Sequence, residues 1–299
     1  MKIMIEKKDE TANLGGLSWS MDDDTNGEEM EFSSIKLYDI GSRIKVTDGG
    51  AIRYYGVIVS MEENIKPPHT YKALDFSYNL KGDEIIQFKK LAADMALSKL
   101  FAKSKIDSVV ECKIPTKITK IYKGTILEIA KDILKKAGKD QGKSYYLEVI
   151  GRYVTISEKK KKKISPTFTV AGEGSISRSI TDLRNEVKVV KGNKVLATAK
   201  DSASIKKLGT IRYIDEDEKI TKAKATSEAK SQLSKLDRVK NTRSLTLLVT
   251  KGYWDIRKNR LIKIKSAGLN GWYNIKSATH SIEGALHKVD IEVEWSGKI

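Results

Sequence analysis

The sequence predicts an α+β fold that is mainly β, with a strand-rich block at each end, a helix-rich block between them and one helix inserted in the last block. Three observations predict it. Apolar and polar residues alternate in segments of residues 1–80 and 164–299, the pattern of half-buried strands, whereas segments of residues 81–163 repeat apolar positions at helical spacing. The charge changes at the same places. Residues 1–80 hold 9 Lys/Arg against 14 Asp/Glu, residues 81–163 hold 21 against 10, and residues 164–299 hold 26 against 15. Finally, a chain of 299 residues with 39% apolar content suits several small cores better than one large one. The blocks are read as three domains, 1–80, 81–163 and 164–299.

In the first block, Ile44-Lys45-Val46-Thr47 alternates as a strand does, and Asp48-Gly49-Gly50 is a turn. Tyr54 to Met61 is its strongest strand, where Gly56 marks a bulge or a close backbone approach. Pro67-Pro68 makes a loop, and Tyr71 to Phe76 resumes a strand. The run Asp22-Asp23-Asp24-Thr25-Asn26-Gly27-Glu28-Glu29 carries five acids and no base. It lacks the spacing of a calcium loop and reads as an exposed loop, so Asp22, Asp23, Asp24, Glu28 and Glu29 are the candidate interface residues.

In the middle block, Leu91, Met95, Leu97, Leu100 and Phe101 predict an amphipathic helix from about Lys89 to Lys103. Thr125 and Glu128 form a capping box, Ile126, Ile129, Ala130, Ile133, Leu134 and Ala137 make one apolar face, and Gly138 is expected to end that helix. Gly151-Arg152 joins a hairpin of Tyr145–Ile150 with Tyr153–Ser157. Lys159 to Lys163 are consecutive lysines and read as a solvated linker. In the last block Gly192-Asn193 joins a second hairpin. Ala225, Ala229, Leu233 and Leu236 predict a helix over about 221–239, and four strands follow at 244–250, 261–265, 272–279 and 288–295.

Reactive chemistry is sparse. The formal charge of +17 invites a polyanion, but Lys far outnumbers Arg, the residue that recognises bases and phosphates bidentately. The single cysteine, Cys112, allows no intrachain disulfide and fits a reducing compartment. No apolar run approaches the ~20 residues that span a bilayer, and no signal peptide is expected. His280, Glu283 and His287 lack a zinc-site spacing, and no nucleophile elbow or phosphate-binding loop occurs. Neither a cofactor nor a metal is expected.

Four stretches carry a resemblance. Tyr54-Tyr55-Gly56-Val57-Ile58-Val59-Ser60, Leu74-Asp75-Phe76-Ser77-Tyr78-Asn79-Leu80, Ser179-Ile180-Thr181-Asp182-Leu183-Arg184-Asn185-Glu186-Val187, and Gly271-Trp272-Tyr273-Asn274-Ile275 with His280 and His287 resemble segments of the baseplate hub proteins of contractile phage tails and tail-like bacteriocins. This is the late control protein D group, in the version found in defective prophages of Gram-positive bacteria. The resemblance implies two barrel-like, tube-type β domains per subunit, 1–80 and 164–299, with the α+β module between them. It also implies a homotrimer whose pseudo-sixfold ring joins the tail tube to the central spike. The implied partners are the spike protein, the tube or tube-initiator protein, the tape-measure C-terminus and the baseplate wedge proteins. No catalytic residue, hydrolase module, membrane insertion or specific nucleic acid is implied. The chain would be made in the bacterial cytoplasm and released by lysis within a particle. The alternatives are a basic nucleic-acid-binding protein and a tail-associated cell-wall hydrolase.

Overall fold

The computed structural model describes residues 1–21, 27–159, 162–171, 174–217, 220–266, 268–284 and 286–297. The alternating first block becomes β1 (Lys2–Ile5), β2 (Lys8–Asp9), β3 (Leu14–Met21), β4 (Glu28–Ser34), β5 (Arg43–Asp48), β6 (Ala51–Glu62) and β7 (His69–Asp75). The middle block forms β8 (Asp83–Ala92), α1 (Ala93–Lys103), β9 (Ser108–Val110), β10 (Lys117–Thr125), α2 (Ile126–Gln141), β11 (Tyr145–Ile150) and β12 (Tyr153–Glu158). The last block starts with β13 (Lys163–Ile164), β14 (Thr167–Val170), β15 (Ile176–Ser179), β16 (Glu186–Lys191), β17 (Lys194–Lys200), α3 (Ser202–Leu208), β18 (Arg212–Glu216) and α4 (Lys222–Leu236). It ends with β19 (Val239–Lys251), β20 (Leu261–Ile264), β21 (Gly271–Glu283) and β22 (Leu286–Gly297). The fold is α+β and mainly β, as the patterning predicts.

By internal contacts the chain divides into two units, Met1–Glu173 with Leu245–Ile291, and Gly174–Ser244 with Glu292–Ile299. In the first unit, hydrogen-bonded neighbours run β21-β3-β4-β7-β6-β5-β1-β2. The ladder of β3 with β21, Ser20 opposite Thr279 through Leu17 opposite Ile282, joins the start of the chain to its last hairpin. The alternating strands bury Trp19, Met30, Phe32, Ile44, Tyr54 and Tyr71 in one core. Gly56 marks a close approach: a Cβ there would lie 2.2 Å from the carbonyl oxygen of Leu74 on the neighbouring strand.

The middle block keeps its own core. Helices α1 and α2 pack Leu97, Leu100, Phe101, Ile129 and Ile133 against the β8–β10 ribbon and the β11–β12–β9 sheet. In the second unit β16 lies between β17 and β18, and α4 covers it with Ala225 and Ala229 on Val187 and Val189.

Several expectations change. Residues 89–92 belong to β8, because pairing with β10 takes them before the helix begins at Ala93, and Met95 is exposed rather than in the core. The capping box at Thr125 and Glu128 forms, but α2 runs past Gly138 to Gln141 and ends on Gly142 in left-handed geometry. Gly138 lies inside the helix and serves a different need: after the turn at Gly142 the carbonyl of Lys143 passes so close that a Cβ at 138 would sit 2.8 Å from its oxygen. Among the described lysines of the 159–163 run, Lys162 pairs with Glu111 at 3.0 Å, and Lys163 enters β13 with its ammonium over the Trp272 ring. These lysines are held against the protein rather than left as a free linker.

Candidate functional site

The acidic run leads to the most charged part of the interior. Asp22, Asp23 and Asp24 lie outside the described residues. Glu28 and Glu29 are not loop residues: both begin β4, where pairing with β7 sets Glu29 opposite Leu74. Glu28 is buried. Its Oε1 lies 2.8 Å from Nη2 of Arg257, and its backbone N–H donates to Oδ2 of Asp75 at 2.7 Å. Arg257 also donates to the carbonyl of Val149 at 2.7 Å. Three residues on, Arg260 grips both oxygens of Glu148 at 2.6 and 2.9 Å and donates to the hydroxyl of Tyr146. A short segment between the 3-10 turn 253–255 and β20 thus ties β4 to β11.

Glu28, Asp75, Glu148, Arg257 and Arg260 are each between 1% and 7% exposed. Three carboxylates face two guanidiniums, with Lys162 at the rim 3.9 Å from Glu148. Loss of solvation pushes the Glu28 carboxyl up to about 7, against the pull of Arg257 and with help from Asp75 and Glu148. Burial raises Asp75 too, opposed by the N–H donors of Ser77 and Glu28.

A second cluster lies on the β3–β21 ladder. Trp19 stacks on His280 and on Trp254, both at 4.7 Å between ring centres, and meets His287 edge-on. Nε2 of His280 lies 2.9 Å from the carbonyl of Ile256, so that nitrogen carries the proton. In a neutral ring Nδ1 must then accept, and His287 Nε2–H supplies the hydrogen at 3.0 Å. A further proton on His280 would turn Nδ1 into a donor and require His287 to exchange tautomers to keep the bond, and burial depresses both imidazoles below the ordinary value. Asp48 closes the cluster, accepting from Tyr253 Oη at 2.7 Å and Trp254 Nε1 at 2.9 Å.

These groups cross-brace the first unit. The histidines hydrogen-bond each other, and among the described residues no group of three His, Cys, Asp or Glu could hold a metal ion. Sequence reasoning named Glu28, as an exposed-loop interface candidate, and His280 and His287, as histidines without a zinc spacing, but assigned none of them to these clusters and did not single out Arg257, Arg260 or Glu148. The one local signal was two arginines three apart between strands, a spacing that also suits a surface loop.

Comparison with known proteins places the fold. The chain is similar over 98% of its length to the 43 kDa tail protein of prophage MuSo2 from Shewanella oneidensis, at 14% identity, TM-score 0.70 and 97% coverage of that chain. The tail protein of Neisseria meningitidis MC58 matches over 98% of this chain and 95% of its own, at 14% identity and TM-score 0.74. A type VI secretion component of Escherichia coli, c3393, described as structurally similar to the bacteriophage T4 tail proteins gp27 and gp5, matches over 98% of this chain and 76% of its own, at 8% identity and TM-score 0.51. At such identities the likeness is one of fold. No curated protein matches in sequence. The profile of the YQBQ-like family matches residues 17–294, from the first strand of the β3–β21 ladder to the last strand of the chain, and the protein belongs to that family.

Proposed function

We propose that this protein is the baseplate hub of a contractile injection system, a phage tail or a tail-like bacteriocin, and acts mechanically rather than catalytically. It forms a trimeric, pseudo-sixfold ring that joins the tail tube to the central spike. The observation that carries the reading is the whole-length likeness in fold to phage tail proteins and to a type VI component itself likened to gp27 and gp5. A buried charge network and an aromatic–histidine cluster also suit a load-bearing part, because they cross-link distant strands.

In this reading residues 1–80 and 164–299 supply the two tube-type domains and residues 81–163 the module between them. The partners are the spike, the tube or tube initiator, the tape-measure C-terminus and the wedge proteins, within a particle released by lysis. Asp22, Asp23, Asp24 and Glu29 remain interface candidates, whereas Glu28 is committed to Arg257. Co-expression with the spike and tube proteins, followed by electron microscopy, tests the reading. A threefold ring at the tube–spike junction is expected. A stable monomer that ignores spike, tube and tape measure would overturn it.

A further inference from the structure

We propose that the loop of residues 35–42, with the neighbouring loop at Ile65, is a docking surface for a second copy of this chain, and that it meets the outer face of that copy's β8–β10 ribbon. The inference rests on the ring-forming reading above and names the surfaces that would build the ring.

The first surface is a loop tied down by its polar groups. Lys36 Nζ, on a side chain that is still 53% exposed, lies 2.9 Å from Glu10 Oε2, and the Tyr38 hydroxyl donates to the same oxygen at 3.1 Å. The Tyr38 N–H donates to Tyr71 Oη at 3.0 Å, and that hydroxyl donates to the Lys36 carbonyl at 3.1 Å. Backbone bonds from Ile35 to Asn13 and from Gly41 to Ile58 pin both ends. The aliphatic side chains of the same loop stand in solvent, Ile35, Leu37 and Ile40 being 60%, 56% and 62% exposed. Several large apolar side chains held together on a pinned loop are the kind of patch that marks a contact surface.

The strand register enlarges the patch. Ser34 pairs with His69, and Glu62 with Thr70, so the 63–68 loop lies at the same end of the sheet, with Ile65 fully exposed. Asp39, Glu62 and Glu63, on these loops or at their start, outnumber the one exposed base left unneutralised there among the described residues, Lys66, since Lys36 is paired with Glu10, and the rim carries a net negative charge.

The complementary surface is on the middle block. The ribbon turns Ile86, Phe88 and Tyr122 into the core and leaves Ile85 and Ile121 58% and 62% exposed on the other face. Lys123 lies directly opposite Ile85, and Lys89 continues the row along β8. This patch is apolar and basic, and the loop patch is apolar and acidic. Two copies of either patch placed face to face would set like charges together. Pairing one with the other is attractive, and a contact between two different patches is the kind that closes into a ring.

Sedimentation velocity of the full chain tests this with two double variants, Leu37→Ser/Ile40→Ser and Ile85→Ser/Ile121→Ser. All four residues are exposed, so circular dichroism should stay unchanged. Each variant should weaken the trimer at least ~100-fold, as expected for anchor residues at an interface. Mixed, the two variants should form a dimer through their one intact pair of patches but no closed ring. A wild-type trimer that both variants retain would overturn the proposal and leave the hub reading standing. A wild type that stays monomeric at high concentration, alone and with its spike, would overturn both. Loss of spike or tube binding with trimerisation intact would assign the loop to another tail protein and overturn the second-copy proposal.

Discussion

Glu28 sits where charge arithmetic forces a choice. Three buried carboxylates share two guanidiniums, and one of them holds its proton to about pH 7. Folding raises this group above its unfolded value, so its contribution is greatest below pH 4.5 and is lost as the pH rises through about 7. Glu28→Gln mimics the protonated form. Relative to wild type, the variant should gain about 3 kcal/mol between pH 4.5 and pH 8, measured by urea unfolding at each pH. A difference that ignores pH would refute the assignment.

The histidine pair works in the opposite sense. Folding depresses both rings, so their contribution is complete above pH 6.5 and is lost as the pH falls below it. Two rings outweigh one carboxyl, and the whole protein should lose stability on mild acidification. His287→Gln keeps a donor for His280 Nδ1 and removes one titrating ring. Its acid unfolding midpoint, followed by tryptophan fluorescence, should move to lower pH, and an unmoved midpoint would show that the ring does not drive the transition. Little of this site was legible beforehand: the histidines stood out, but Arg260 and Glu148 are 112 residues apart and only the folded chain brings them together.

At the scale of the element, α2 shows what local pattern can and cannot decide. The capping box was readable because both partners lie within one turn. The helix end was not, since two glycines four residues apart offer the same local signal. Gly142 takes the left-handed geometry that ends the helix, whereas Gly138 makes room for the Lys143 carbonyl that passes over it, a contact no local pattern shows. Gly138→Ala should therefore destabilise by about 1–2 kcal/mol despite the better helix propensity of alanine. Thr125→Ala should cost about 1 kcal/mol through the lost cap. Thermal unfolding of both variants checks the pair, and a stabilised Gly138→Ala would mean that the crossing carbonyl can move away. Strand β8 teaches the same lesson: residues 89–92 have helical spacing, yet pairing with β10 overrides it.

At the scale of the molecule, the alternation in both end blocks was enough to predict a mainly β fold, but not which strands would meet. The β3–β21 ladder joins segments some 260 residues apart, and nothing in either segment names the other. Trp19 is the side chain that fastens them. Trp19→Ala should cost roughly 3–5 kcal/mol. It should also raise hydrogen exchange together at residues 17–20 and 279–282. Faster exchange in only one of the two segments would mean that the ladder is not a cooperative unit.

That ladder also sets an order of events during synthesis. Strand β3 is made some 260 residues before its partner β21. At about 5–20 residues per second, the side of β3 that will pair stays open for roughly 15–50 seconds. An unpaired strand edge invites association with other chains. The first unit therefore cannot close until β21 has been made, so the joint that completes it is also the latest step in its folding.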